Sequence, residues 1–582
     1  MNLKFLRENL FLILAVFAAG LLRFLYLDRI PTAVGGDEMV YLLTGKSIFL
    51  TGTDLTGVWN PLTAFIFRYP PGETQAELLY FLNSPFVGLM NFSLLSARMA
   101  NAILGTLTVI PLYFFTKNLI NKKVAIVTAF IFVINPWSIY SARTAYEMTP
   151  AVFFYILSLS FIFSKKNVIL LSIPALILAF YSYIATKLIF FPLVAVAVFY
   201  GYYFYNNKQF KKQYLTVFLF SFALILFFAI SLKLNSQGSR MGEILSPNSP
   251  QVAKQVNEIR QNSIQVPFAN LLENKFAEFK TIAITKLFKV FSTEYLFVSG
   301  DDFFSIYRHG LFYFIDGVFL VLGALFLFAK KRKVFIFLTA FSLLGAVPQF
   351  LYGSGINNFS PHIAMLIPFL IIFIAVGILE TTQLFKKERL ILVSIIIISA
   401  IYFVSTVNFY YIYFFQHSLK GYFDFPVRVV SRYSVFAGNK DKITIYSTRS
   451  GDIFKKYLFY TNNYNLDTVQ PVKKAILNKK YTLNNVSFVS CDNALDFSKP
   501  RGIVIYDAEC GTPVKEPKNA RAISKLSDGG RVYRIYGDTV CTNERVKSYA
   551  EKVSLAAFDV ESLSKKEFCE TFITSLYLFW QQ

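Results

Sequence analysis

Charge, cysteine, histidine and tryptophan are all scarce in this 582-residue chain, and each shortage removes a class of protein. Only 16% of the residues are charged against 55% hydrophobic, so one water-soluble core cannot hide the apolar surface. The composition points instead to a polytopic membrane protein. Three His and four Cys form no HExxH element and no zinc-type cysteine pair, and the chain has no Gly-rich phosphate loop, internal repeat or low-complexity linker. The cysteines, Cys491, Cys510, Cys541 and Cys569, all lie in the final polar segment. That confinement suggests two disulfides in an oxidising compartment. Nearest-neighbour pairing would be Cys491–Cys510 and Cys541–Cys569, one of three pairings the sequence allows; four buried thiols are the alternative.

Acid is also short, 35 Asp and Glu against 58 Lys and Arg, for a formal charge of +23. Such a surplus could serve nucleic acid, but its placement argues against that partner. The clusters Lys117/Lys122/Lys123, Lys165/Lys166, Lys208/Lys211/Lys212, Lys330/Lys331/Arg332/Lys333 and Lys386/Lys387/Arg389, with Lys4 and Arg7, fall at every second gap between apolar runs. This is the positive-inside pattern of cytoplasmic loops.

The runs lie at 9–27, 96–116, 123–140, 149–163, 167–183, 188–205, 214–232, 311–329, 334–351, 362–379 and 390–407. About eleven transmembrane helices are therefore expected. The first follows Lys4 and Arg7 and is longer than the apolar region of a cleavable signal, so it reads as a retained signal anchor with a cytoplasmic N-terminus. The parity puts the loops 28–95 and 233–310 and the C-terminal segment 408–582 outside, at a plasma (inner) membrane. Residues 1–407 then form the membrane domain. The tail carries β-type runs at 442–447, 486–490, 502–507 and 531–537 and helical stretches near 451–460 and 561–580, as in a small extracytoplasmic α/β domain.

Polar chemistry concentrates on the outward loops. "GGDEMVYL" (35–42) brings Asp37 and Glu38; Asp54, Trp59 and "FRYPPGE" (67–73) with Arg68 follow; Arg98 opens the second run. "NPWSIYSARTAYEMTP" (135–150) adds Arg143 and Glu147, "YSYIATKLIFFP" (181–192) adds Lys187, and Arg308, His309 and His362 come later. Several charges at one membrane face imply a polar cavity. Singly, each has a plainer reading: Asp37 and Glu38 as solvated loop charges, Arg143 and Glu147 as a helical i,i+4 pair, Lys187 as a snorkelling lysine, Arg308 and His309 as headgroup anchors, and His362 as an interfacial ring.

Taken in order, these stretches resemble the membrane glycosyltransferases of the GT-C fold, and most nearly glycosyltransferase family 39, which holds the protein O-mannosyltransferases and the lipid A aminoarabinose transferases. "GGDEMVYL", "RYPPGE", "SARMANAILGTLTVIPLYFFTKNL" (96–119), "NPWSIYSARTAYEMTP" and "YSYIATKLIFFP" carry the likeness over about a third of the chain. The sequence departs from the family at Tyr69, where relatives carry a basic residue before the proline pair; Arg68 is the substitute. The resemblance implies inverting transfer of a hexose or pentose from a polyprenyl-phosphate donor to an acceptor hydroxyl of a protein, glycan or lipid. Asp37 would be general base, with Glu38 orienting the acceptor or sharing that role. Arg98, Arg143, Lys187, Arg308 and Arg68 would stabilise the departing phosphate, and Glu147, His309 and His362 would line the acceptor side. The mechanism requires no cofactor; a divalent cation on outer-loop carboxylates is the alternative. Two other functions compete. An O-antigen-type polymerase or ligase would place its chemistry in the loop 233–310, and a transporter or flippase would need charges or broken helices at the membrane midplane.

Overall fold

The computed structural model of the protein describes residues 3–58, 60, 63, 76–203, 210–234, 244–264, 266–301, 304–306, 308–352, 358–419, 425–438, 441–492, 497, 500–517, 520–524, 531–541 and 555–575. Each apolar run contains helix among the described residues. In chain order the membrane region comprises α1 (Leu3–Phe24), α2 (Gly36–Thr51), α3 (Glu77–Leu89), α4 (Leu94–Leu119), α5 (Lys122–Ile134), α6 (Pro136–Ala142), α7 (Met148–Ile162) and α8 (Ile169–Ser182). It continues through α9 (Phe190–Tyr203), α10 (Lys211–Leu234), α11 (Pro250–Gln261), α12 (Lys275–Val290), α13 (Phe314–Lys330), α14 (Arg332–Leu351), α15 (Ile367–Gln383) and α16 (Glu388–Leu419). Among the described residues four helices, α4, α10, α14 and α16, are long and apolar enough to cross a membrane, and α5 with α6 makes a fifth if that bent pair is one span. These helices make the chain a membrane protein.

Two local rules interrupt the expected pattern. The run at 123–140 is broken by 59° at Asn135. There the Asn135 side chain accepts the Ser138 N–H (2.9 Å) and Pro136 opens the next helix, so an N-cap and its proline start a new helix inside an apolar stretch. The loop 28–95 is organised around α2 and α3, which pack on each other. Gly52 ends α2 in the left-handed region (φ 72°) with its N–H on the Ile48 carbonyl (2.8 Å), a glycine C-cap. Deeper in the bundle, α13 crosses α15 at Gly323 and Gly377, where a Cβ on either would meet the carbonyl of Phe373 or Phe319. Small residues let membrane helices approach that closely.

Beyond α16, which runs past residue 407 to Leu419, the tail folds around a seven-stranded sheet ordered β2-β3-β1-β4-β6-β5-β7. All four expected strand runs are present, as β1 (Ile443–Tyr446), β3 (Val486–Val489), β4 (Ile503–Asp507) and β6 (Arg531–Tyr536). The remaining strands are β2 (Thr482–Leu483), β5 (Arg521–Ser524) and β7 (Ile573–Ser575). The parallel pairs are those of β1 with β3 and with β4; the helix α17 (Phe425–Ala437) precedes β1, and α18 (Ser450–Tyr460) and α19 (Val469–Leu477) lie between β1 and β2. The helix expected over 561–580 is shorter: α20 spans Lys565–Phe572 and gives way to β7, where the β-branched Ile573 and Thr574 pair with β5. Disulfides join Cys491 to Cys510 and Cys541 to Cys569.

Candidate active site at the start of the second helix

The segment leading into α2 is held by its own carbonyl groups. Arg98 is buried and donates from Nη1 to the Leu27 carbonyl (3.1 Å) and from Nη2 to the Ala33 carbonyl (2.9 Å). Arg143, also buried, donates to the carbonyls of Leu22 (3.3 Å), Arg23 (2.9 Å), Tyr26 (3.3 Å) and Ile30 (2.9 Å), and from Nε to the Tyr413 hydroxyl (3.1 Å). From the C-terminal domain, Arg428 Nη1 donates to the Thr32 carbonyl (2.8 Å) and the Tyr460 hydroxyl accepts the Val34 N–H (2.8 Å). A chain that must leave a helix, turn and re-enter another exposes unpaired carbonyls, and buried guanidinium groups satisfy them with charge-assisted bonds.

The turn at 143–147 is fixed to the same scaffold. Asn101 lies three residues after Arg98, on the same helical face, and its Nδ2 donates to the carbonyls of Thr144 (2.6 Å) and Tyr146 (2.7 Å). Glu38 joins the two segments: its Oε1 accepts the Ala145 N–H (2.5 Å) and its Oε2 the Gly35 N–H (2.7 Å), closing a cap on α2. Glu38 is 1% exposed. Burial raises its pKa, while Arg98 and the two N–H groups act in the opposite direction. A Cβ at residue 35 would meet the Tyr146 hydroxyl, so a side chain there displaces that phenol.

Asp37, by contrast, is exposed at the first turn of α2. Of the adjacent acids, the structure therefore sends one into the scaffold and one to solvent. Asp37 and Glu147 both bear electrostatically on the Tyr41 and Tyr146 phenols, whose pKa values burial pushes well up. Asp452 of α18 lies beside Gly36, its Oδ1 3.6 Å from where a Cβ would stand, so the C-terminal domain reaches the same corner.

The other candidates make contacts of their own. Lys187 forms a buried ion pair with Glu77 (2.9 and 3.0 Å) under the rings of Phe180 and Phe228, so it does not snorkel; burial lowers its pKa and Glu77 opposes that. Arg308 is exposed, in the left-handed region at φ 58°. His309 holds the Gly310 carbonyl with Nδ1 (2.8 Å) and meets Phe409 edge-on at 5.3 Å; burial lowers its pKa. His362 packs among Tyr352, Phe359 and Tyr183. Arg68 and Trp59 lie outside the described residues. No group of three or more His, Cys, Asp and Glu side chains could hold a metal ion among the described residues.

Sequence reasoning missed several members of the scaffold. Arg23 is buried in the first apolar run and donates to the Ser138 hydroxyl (3.2 Å) and the carbonyls of Ala19 and Phe132; a charge inside an apolar run is itself a signal that a partner waits within the bundle. Asn101 was legible as the residue one turn beyond Arg98. Glu77, Arg428 and Tyr460 had no local signal.

The fold and the corner around Asp37 define a helical membrane protein with an exposed carboxylate on a hydrogen-bonded helix start and a disulfide-bonded α/β domain seated against it. No family model matches the chain. It is similar in structure to ArnT from Cupriavidus metallidurans, solved bound to undecaprenyl phosphate, with 12% identity, a TM-score of 0.47, and 92% of this chain and 100% of that one covered. It is also similar to the oligosaccharyltransferase AglB from Archaeoglobus fulgidus, in complex with an inhibitory peptide and a dolichol-phosphate, with 13% identity, a TM-score of 0.46, and 88% and 70% covered. In sequence it is 24% identical over 268 residues to an NtrY-like sensor histidine kinase of Rickettsia typhi, across 41% of this chain and 44% of the kinase, less than half of that protein's length.

Proposed function

We propose that the protein transfers a sugar from a polyprenyl-phosphate donor to an acceptor hydroxyl, with inversion, at the outer face of the plasma membrane. The observation that carries this reading is the division of labour at 37–38: an exposed carboxylate on a helix start whose backbone is bonded from both sides. Asp37 takes the acceptor's proton as its oxygen attacks the anomeric carbon; the bond from that carbon to the phosphate oxygen breaks, and its electron pair leaves with the lipid phosphate. Glu38, with both oxygens on backbone N–H groups, holds Asp37 in register.

We assign Arg98 and Arg143 to the scaffold and Lys187 to its pair with Glu77, on the bonds each makes. Arg308, exposed on the loop before α13, is the cation we assign to the donor phosphate, with Arg68 the second candidate from the family resemblance. Two disulfides in the tail favour an oxidising, extracytoplasmic side for that domain, in agreement with the basic clusters on alternate loops. The domain's approach at Asp452 suits recognition of a protein or envelope glycan or lipid acceptor. The step runs without a metal, so EDTA is expected to leave turnover unchanged.

The test is glycosyl transfer by the purified protein in lipid nanodiscs, with a panel of polyprenyl-phosphate sugars and envelope extract as acceptor. Wild type should consume one donor, and Asp37→Asn should lose turnover by orders of magnitude while still binding it. Turnover that survives the substitution removes Asp37 as base, and a folded protein that consumes no lipid-linked donor sinks the whole reading.

A further inference from the structure

The loop between α10 and α13 folds into a helical hairpin that uses only part of its apolar surface. Val252 and Val256 of α11 pack with Ile282 of α12 and with Leu245 in a small core of their own. Yet Phe268, Leu271, Leu272, Phe276 and Phe288, in the turn and on α12, are 58–76% exposed. Five large apolar side chains concentrated in one short stretch mark an interaction surface.

Where the hairpin sits narrows the partner. Helix α12 packs along α14, and the Lys286 ammonium donates to the Tyr352 carbonyl. The Leu245 N–H donates to the Leu351 carbonyl (2.6 Å), and Asn358 Nδ2 to the Lys289 carbonyl (3.1 Å). All these bonds converge on the end of α14, a helix long and apolar enough to cross the membrane, so the hairpin is fastened at the level where the bilayer ends. The exposed rings alternate with Lys275, Lys280 and Lys289, which are exposed too. Lysine is depleted at the centre of protein–protein interfaces, whereas phenylalanine and leucine interleaved with lysine suit a helix lying in the headgroup region.

We propose that the 250–290 hairpin lies on the bilayer surface, its turn and α12 rings entering the headgroup and upper acyl region and Lys275, Lys280 and Lys289 facing the phosphates of anionic lipids. This does not depend on the chemistry at Asp37. It makes the loop a membrane-bound strut whose seating depends on lipid charge.

All four native cysteines are in disulfides, so a single reporter can be placed on the full-length protein. Phe276→Cys and Phe288→Cys, each carrying an environment-sensitive fluorophore, would be compared in nanodiscs with Lys254→Cys, an exposed position on α11. The expected result is quenching of the two ring positions by lipids with a nitroxide in the upper acyl chain, and of Lys254→Cys only by a soluble nitroxide. Phosphatidylglycerol should increase the lipid quenching over phosphatidylcholine about twofold or more, and Lys275→Gln/Lys280→Gln/Lys289→Gln should abolish that difference. Ring positions quenched by the soluble probe as strongly as the control would overturn the proposal. So would protection from both probes, since the surface would then be covered by protein. A phosphatidylglycerol effect that survives the triple substitution would overturn the role of the lysines.

Discussion

Replacing Arg98 by Gln separates two roles that the same guanidinium could play. In the structure both Nη groups are bonded to the carbonyls of Leu27 and Ala33, and Glu38 lies within their field. Hydrogen bonds from a charged donor contribute roughly 1.5–3 kcal/mol each. Removing the cation from a buried, charge-coupled site costs about 3–5 kcal/mol. Against a total of about 5–15 kcal/mol for a folded domain, the variant stays folded but its 27–35 segment loosens. A displacement of about 1 Å at a reacting group costs on the order of 10²-fold in rate. We therefore expect kcat to fall by about 10²-fold, with donor affinity within about twofold of wild type and a lowered Tm. Arg98→Lys should rescue little, because a single ammonium cannot span two carbonyls as a planar fork does. The assay is transfer kinetics in nanodiscs with donor binding measured separately. If donor affinity falls in step with turnover, Arg98 touches the phosphate and the scaffold assignment is wrong.

Glu77→Gln removes the carboxylate that neutralises the buried Lys187, and should cost about 3–5 kcal/mol in thermal unfolding, much of it recovered by adding Lys187→Met. Burial raises the Glu38 pKa, so the native state holds this proton more tightly than the unfolded chain. The associated stabilisation is present below the unfolded value of about 4.3 and is lost as pH rises through the raised native value. Thermal unfolding of wild type should thus decline, relative to Glu38→Gln, on going from about pH 4 to neutrality; parallel curves would refute the shift. Gly35→Ala forces a Cβ onto the Tyr146 hydroxyl, and turnover should fall about tenfold or more, as an overpacked contact of about 1–3 kcal/mol implies. Tyr146→Phe in the same chain should restore part of it.

Local signals carried far in this chain, and long-range ones did not. The apolar runs and the alternating strands of the tail are written in consecutive residues, so helices and strands could be placed from sequence alone. The break at Asn135 was visible in principle as an Asn-Pro start inside a run, and β7 in the branched pair Ile573–Thr574. The side chains around Asp37 were different. Arg143 reaches Ile30 across 113 residues, Lys187 reaches Glu77 across 110, and Arg428 reaches Thr32 across 396. Nothing local distinguishes a guanidinium that will meet a carbonyl from one that will meet a phosphate. The pair Asp37 and Glu38 looks symmetrical in sequence, yet the helix start turns one inward and the other outward.

The clamp on the 22–34 segment grips main chain almost throughout: Arg98, Arg143 and Arg428 take carbonyls, and Tyr460 takes an N–H. A grip of this kind is indifferent to side-chain identity. Within the volumes the buried positions allow, residues 27–30 and 32–34 can be exchanged without loosening any of these bonds, whereas the gripping arginines cannot. Tolerance to mutation should therefore be inverted with respect to distance: the stretch nearest the carboxylate is replaceable, and the distant side chains that hold it are not.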